Sequence, residues 1–115
     1  MSAKIYHNPR CSKSRTTLSI LEEKGLDIEI IKYLSETPSA EELKELLGAL
    51  EMQPRELMRQ HEAPYKDNNL ADESLSEDAL IQAMVDNPIL IERPIVKTDK
   101  GVVIGRPPEN VLAII

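Results

Sequence analysis

Residues 6 to 15, Tyr-His-Asn-Pro-Arg-Cys-Ser-Lys-Ser-Arg, hold the only cysteine of the chain. Arg10, Lys13 and Arg15 surround Cys11, and no carboxylate occurs from Met1 to Leu21 in a chain of formal charge -6. A thiol reacts as its thiolate, and neighbouring cations or a helix N-terminus lower a cysteine pKa from about 8.5 into roughly the 3.5 to 7.5 range. The ordinary alternative for a lone cysteine is a small buried core residue. Three cations within four positions, at a junction of loop and helix, favour the reactive reading.

Cys11-Ser12-Lys13-Ser14 has the form of a redox Cys-x-x-Cys pair that lacks its second sulfur, so any resolving thiol has to come from another molecule. The Cys-x-x-x-Arg spacing to Arg15 is shorter than the phosphate loop of tyrosine phosphatases. An oxyanion at the sulfur therefore needs cations from elsewhere, and Arg59, Arg93 and Arg106 are the candidates. A surface arginine is the default reading of each, but Arg93 and Arg106 both immediately precede a proline. His7 reads either as a proton carrier for the thiol or as a hydrogen-bonding residue at a strand end. No spacing of Cys, His and acids suggests a metal site, and no bound cofactor is expected.

These residues need elements to position them. Residues 3–6 read as a strand, followed by a polar break and a helix from Ser12 that stops at Gly25. Residues 27–34 are rich in β-branched side chains and read as a second strand. Ser39-x-x-Glu42 is a capping box that opens a helix with Leu43, Leu46, Leu47 and Leu50 on one face. Pro54 opens a short helix, residues 61–75 read as irregular, and Ser76 caps another helix that Pro88 ends. Residues 89–98 and 101–105 read as two strands of a hairpin, and residues 107–115 as a closing helix that starts on proline. A βαβ half and a ββα half, with a helical insert over about residues 37–88 between them, is an α/β, thioredoxin-like plan with a mixed sheet.

At 115 residues the chain reads as one domain, 1–115. With 41% hydrophobic residues, no Phe or Trp and three Tyr, its core is aliphatic. The acidic balance (pI near 4.9) and the lack of aromatic platforms argue against nucleic-acid binding. One cysteine, no signal-peptide pattern and no membrane-length apolar run point to the cytoplasm, with no membrane partner.

The blocks "YHNPRCSKSR", "LMRQHEAPY", "NPILIERPIV" and "GRPPENVL", in that order along nearly the whole chain, resemble the glutaredoxin-coupled arsenate reductase family. The resemblance implies a thioredoxin-like fold, a nucleophilic Cys11, and oxyanion-binding Arg59, Arg93 and Arg106. His7, Arg10, Ser14 and Arg15 stand as supporting residues, and Pro94 looks like the cis-proline that faces the thiol. The implied substrate is arsenate or a similar oxyanion, with glutathione as external thiol and glutaredoxin as partner. Ser12, Lys13 and Thr16 depart from the family's usual residues at those positions. Shorter relatives of the same fold include a redox-responsive regulator that binds RNA polymerase. A regulatory module, and a glutathione-dependent thiol transferase, are therefore the alternative readings.

Overall fold

The computed structural model describes all residues, 1–115. Alternation in β1 (Ser2–Tyr6) turns Ala3 and Ile5 into a core, and the chain then breaks at Asn8-Pro9 before α1 (Ser12–Glu23). α1 ends as expected, with Gly25 at φ 73°, a left-handed position that suits a residue without a side chain. β2 (Asp27–Ile31) returns parallel to β1, with Ser2 opposite Asp27 and Tyr6 opposite Ile31. It stops there because β1 offers no further partner; the N–H groups of Ser35 and Glu36 both turn back to the Lys32 carbonyl.

Two compact units emerge, one of residues 1–36 and 93–115, the other of residues 37–92. The first completes its sheet with β3 (Ile95–Thr98), antiparallel to β1, and β4 (Gly101–Ile104), antiparallel to β3. The strand order is β2-β1-β3-β4. Ala3, Ile5, Leu21, Val96, Val111 and Ile114 form its core, where α1 and a terminal 3-10 helix (Pro108–Ile114) pack. This βαβ and ββα order is the thioredoxin-like fold.

The second unit is helical: α2 (Ala40–Leu50), α3 (Pro54–Leu57), α4 (Ala63–Asp67) and α5 (Glu77–Asp86). Ser39 and Ser76 cap α2 and α5, accepting from the N–H groups of Glu42 and Ala79. Leu43, Leu46 and Leu47 of α2 and Leu80, Ile81 and Met84 of α5 are buried where the two helices meet. Two details differ from expectation. The polar stretch 61–75 contains the one short helix α4, around the buried Tyr65. The strand expected over 89–98 begins only at Ile95, because the ladder with β1 ends at the Tyr6–Ile95 pair and Pro94 has no N–H to extend it. Pro88–Leu90 form a 3-10 turn instead, Ile91 bridges to Met58, and the helical unit runs to Glu92.

Candidate active site

The turn that carries the cysteine is set by Asn8 and Pro9. The Cys11 N–H donates to the Asn8 carbonyl at 3.0 Å, and the Asn8 side chain accepts from the Arg10 N–H at 3.0 Å. Proline at the second position and an Asx bond at the first both suit such a turn. Cys11 thereby becomes the N-cap of α1, in extended conformation (φ -92°, ψ 121°), with its sulfur at the positive end of the helix.

The thiol is partly exposed, and its pKa lies below the ordinary value through opposed causes. Burial alone pushes it up. The N–H groups of Ser14 and Lys13 and the Arg93 guanidinium face the sulfur and outweigh that penalty, although the side chain makes no short, linear capping bond. Arg106 adds a long contact, Nη1 to Cys11 Sγ at 3.9 Å, and the same nitrogen donates to the Arg93 carbonyl at 3.2 Å. Chain ends far apart in sequence thus meet at one sulfur. Arg93 Nε and Nη1 are buried there with no hydrogen-bond partner. Buried donors are nearly always satisfied, and two buried guanidinium N–H groups without a partner suit an anionic ligand beside the sulfur.

The local cations sit differently from the expectation. Arg10, Lys13 and Arg15 are exposed, and Arg15 Nη1 donates to the Pro9 carbonyl at 2.9 Å. Lys13 acts on the sulfur through its backbone, and the cation that lowers the thiol pKa is Arg93. The sequence links Arg93 to Cys11 only through its place before a proline and the family resemblance; the charge it exerts on the sulfur comes from the fold, which makes them neighbours. Ser14 is fully buried and its hydroxyl is directed elsewhere, 2.7 Å from His7 Nδ1 and accepting from the Asn8 N–H at 3.1 Å. Its contribution to the thiolate is again its N–H. His7 is buried, and burial, then the charges of Lys32 and Arg15, push its pKa down, so it is neutral near pH 7.

A close-packed contact fixes the two arginines relative to the helix. Gly105 donates its N–H to the Pro94 carbonyl at 2.9 Å, and Thr17 Oγ1 lies 2.7 Å from the Lys13 carbonyl and 3.4 Å from the Gly105 carbonyl. A side chain at Gly105 has no room against Thr17 and Pro94. Sequence reasoning missed Thr17 and Gly105; the glycine next to Arg106 was the available signal. The Arg93–Pro94 peptide is cis, as the resemblance implied, and so is Arg106–Pro107.

Arg59 belongs to the helical unit. Its Nε donates to Glu62 at 3.1 Å, its Nη1 to Glu92 at 3.0 Å, and Nη2 lies 3.2 Å from His61 Nε2. The sequence reading assigned nothing to His61, Glu62 or Glu92, yet they hold this guanidinium. No group of His, Cys, Asp and Glu is arranged to bind a metal ion, and no helix is long and apolar enough to cross a membrane.

Residues 6–114, a span that runs from the start of the Cys11 turn to the terminal 3-10 helix, match the model of the ArsC family. The chain belongs to the ArsC family. Over 113 residues it is 60% identical to an Escherichia coli K12 protein named "Uncharacterized protein YfgD", covering 97% of this chain and 95% of the relative. It is 45% identical over 113 residues to a Neisseria meningitidis protein named arsenate reductase, with 97% of each chain covered. Among solved structures, the arsenate reductase from Vibrio cholerae superposes with a TM-score of 0.96 at 52% identity, over 100% of this chain and 98% of that one.

Proposed function

We propose that this ArsC-family protein is an arsenate reductase in which Arg93 and Arg106 hold the oxyanion while the Cys11 thiolate attacks arsenic(V). The observation that carries this reading is the pair of buried, unpartnered nitrogens of Arg93 beside a thiol of lowered pKa. Relatives named arsenate reductase support the choice of oxyanion. Preorganised donors in a water-poor site are a large catalytic term, and one lost donor costs about 3 kcal/mol.

Attack forms a Cys11 sulfur–arsenic bond, and one arsenate oxygen leaves as water. Two electrons are then needed, and the chain has no second thiol to give them. A glutathione thiolate attacks the Cys11 sulfur, the sulfur–arsenic electron pair stays on arsenic, and arsenite departs. The mixed disulfide left on Cys11 is reduced by the dithiol of a glutaredoxin, by ordinary thiol–disulfide exchange. The test is arsenite formation by purified protein with arsenate, glutathione and glutaredoxin, with Cys11→Ser as control. Arsenite from the unmutated protein alone supports the reading. Glutathione exchange at Cys11 without any arsenite would make it a thiol transferase instead.

A further inference from the structure

The cations that first draw notice in the sequence are not the ones that act on the sulfur, so their use is open. Arg10, Lys13 and Arg15 are all exposed on the turn and first helical turn that carry Cys11. Arg15 folds back over that turn through its bond to the Pro9 carbonyl. Lys32, also exposed, follows β2, whose last residue, Ile31, accepts from the His7 N–H at 2.8 Å, and the charges of Lys32 and Arg15 both act on His7. Four exposed cations of this unit therefore lie on the turn and first helical turn that carry Cys11 and just after the strand bonded to His7.

The unit's carboxylates are placed elsewhere. Glu22 and Glu23 end α1, about 16–18 Å along the helix from Cys11 at 1.5 Å per residue. Asp27 lies opposite Ser2 at the start of β1, and Asp99 lies in the β3–β4 turn, beyond the Thr98 that pairs near that same end. Glu29 faces Lys4 in mid-strand, and only Glu36 and Glu109 follow segments at the cysteine end. A chain of net charge -6 thus keeps a cationic face around one thiol.

We propose that Arg10, Lys13, Arg15 and Lys32 form a docking collar for the carboxylates of a small anionic peptide thiol, the second substrate that a one-cysteine enzyme requires. This rests on the reading that an external thiol serves Cys11. The chemistry of recognition is plain: each carboxylate meets exposed ammonium and guanidinium groups while the thiol approaches the open side of the sulfur. Lys32 and Arg15 serve the γ-glutamyl end or the glycyl end alike, since the collar supplies charge and not a fitted pocket. Focused charge of this kind acts on encounter rates, which rise ten- to a thousandfold in strong cases and fall with salt.

The test uses disulfides of different charge as probes, so that arsenate plays no part and its failure as substrate is distinguishable. The Cys11 thiolate attacks one sulfur of the probe, forms a mixed disulfide and releases the other half as a thiolate, with no net oxidation. Second-order rates are measured with oxidised glutathione (anionic), 2-hydroxyethyl disulfide (neutral) and cystamine (cationic), at low and high salt. In R10Q/K13Q/R15Q the ratio of the anionic to the neutral rate is expected to fall about tenfold at low salt, with each single variant giving about two- to threefold. The ratio for cystamine should rise, and all differences should shrink at high salt. K24Q, at the far end of α1, should leave the ratios as in the unmutated protein. A ratio unchanged in the triple variant overturns the proposal. An equal fall with all three probes also overturns it, because the cations would then act on the thiolate itself.

Discussion

Gly105→Ala tests whether the site is held by the close approach of α1 to the segment that carries both arginines. A Cβ there would stand 2.5 Å from Thr17 Oγ1, 2.9 Å from Pro94 Cγ and 3.0 Å from Thr17 Cγ2. All three atoms belong to packed positions, Thr17 and Pro94 both being buried, so the neighbours cannot swing away. Overpacking of this kind costs about 1–3 kcal/mol, partly offset by about 0.4–1 kcal/mol from the stiffer unfolded chain. A net loss of about 1–2 kcal/mol lowers Tm by roughly 4–8 °C for a domain of this size. Because the Gly105 N–H holds the Pro94 carbonyl, the same strain shifts the Arg93–Pro94 segment from Cys11, and the thiol pKa should rise. Thr17→Ala removes two of the three clashing atoms at the cost of the Thr17 hydroxyl bond to Lys13. In urea denaturation the double variant should therefore lose at least about 1 kcal/mol less than the sum of the single losses. Additivity within about 0.5 kcal/mol, or a Gly105→Ala protein as stable as the parent, would refute the reasoning.

Arg93→Ala and Arg106→Ala should each lower arsenate turnover by about a hundredfold with the fold retained, seen in kcat/KM and circular dichroism. Lysine at either position should restore only part, since an ammonium lacks the two-pronged geometry of guanidinium. The depressed Cys11 pKa links to stability: relative to Cys11→Ser, the parent gains stability as pH rises through the folded pKa, with the full gain above the unfolded value near 8.5. That difference should vanish below the folded pKa in denaturant titrations across pH. His7, also depressed, contributes stability that is complete above about 6.5 and lost as pH falls through its folded pKa, so His7→Gln should flatten the acid limb of stability against pH.

Much of the scaffold could be read from local chemistry. Ser39 and Ser76 cap the helices they precede, Gly25 stops α1, and Asp99-Lys100 turn the β3–β4 hairpin. Each is a short-range signal whose cause lies within a few residues. Residues 88–94 misled because Ile89, Leu90 and Ile91 have strand-like composition, whereas their partners are set by the fold: Leu90 and Ile91 belong to the helical unit. The electrostatics of Cys11 misled in the same way. Proximity in sequence pointed to Arg10 and Arg15, while the charge acting on the sulfur comes from Arg93, brought in by the antiparallel return of β3 beside β1. Arg59 stood in the sequence as one of three candidate arginines, and the carboxylates it pairs with, Glu62 and Glu92, had no signal of their own.

The central claim is that a Cys11 thiolate and the unpartnered guanidinium nitrogens of Arg93 form one oxyanion site, and protection of the thiol measures it directly. The rate of Cys11 alkylation by iodoacetamide is followed across pH, with and without arsenate and before any reductant is added, in the parent and in Arg93→Ala. The account predicts an apparent pKa below about 8.5 in the parent, slowing of alkylation by arsenate, and a raised pKa with little protection in Arg93→Ala. A parent pKa at or above about 8.5, or protection by arsenate that is equal in the two proteins, would contradict it.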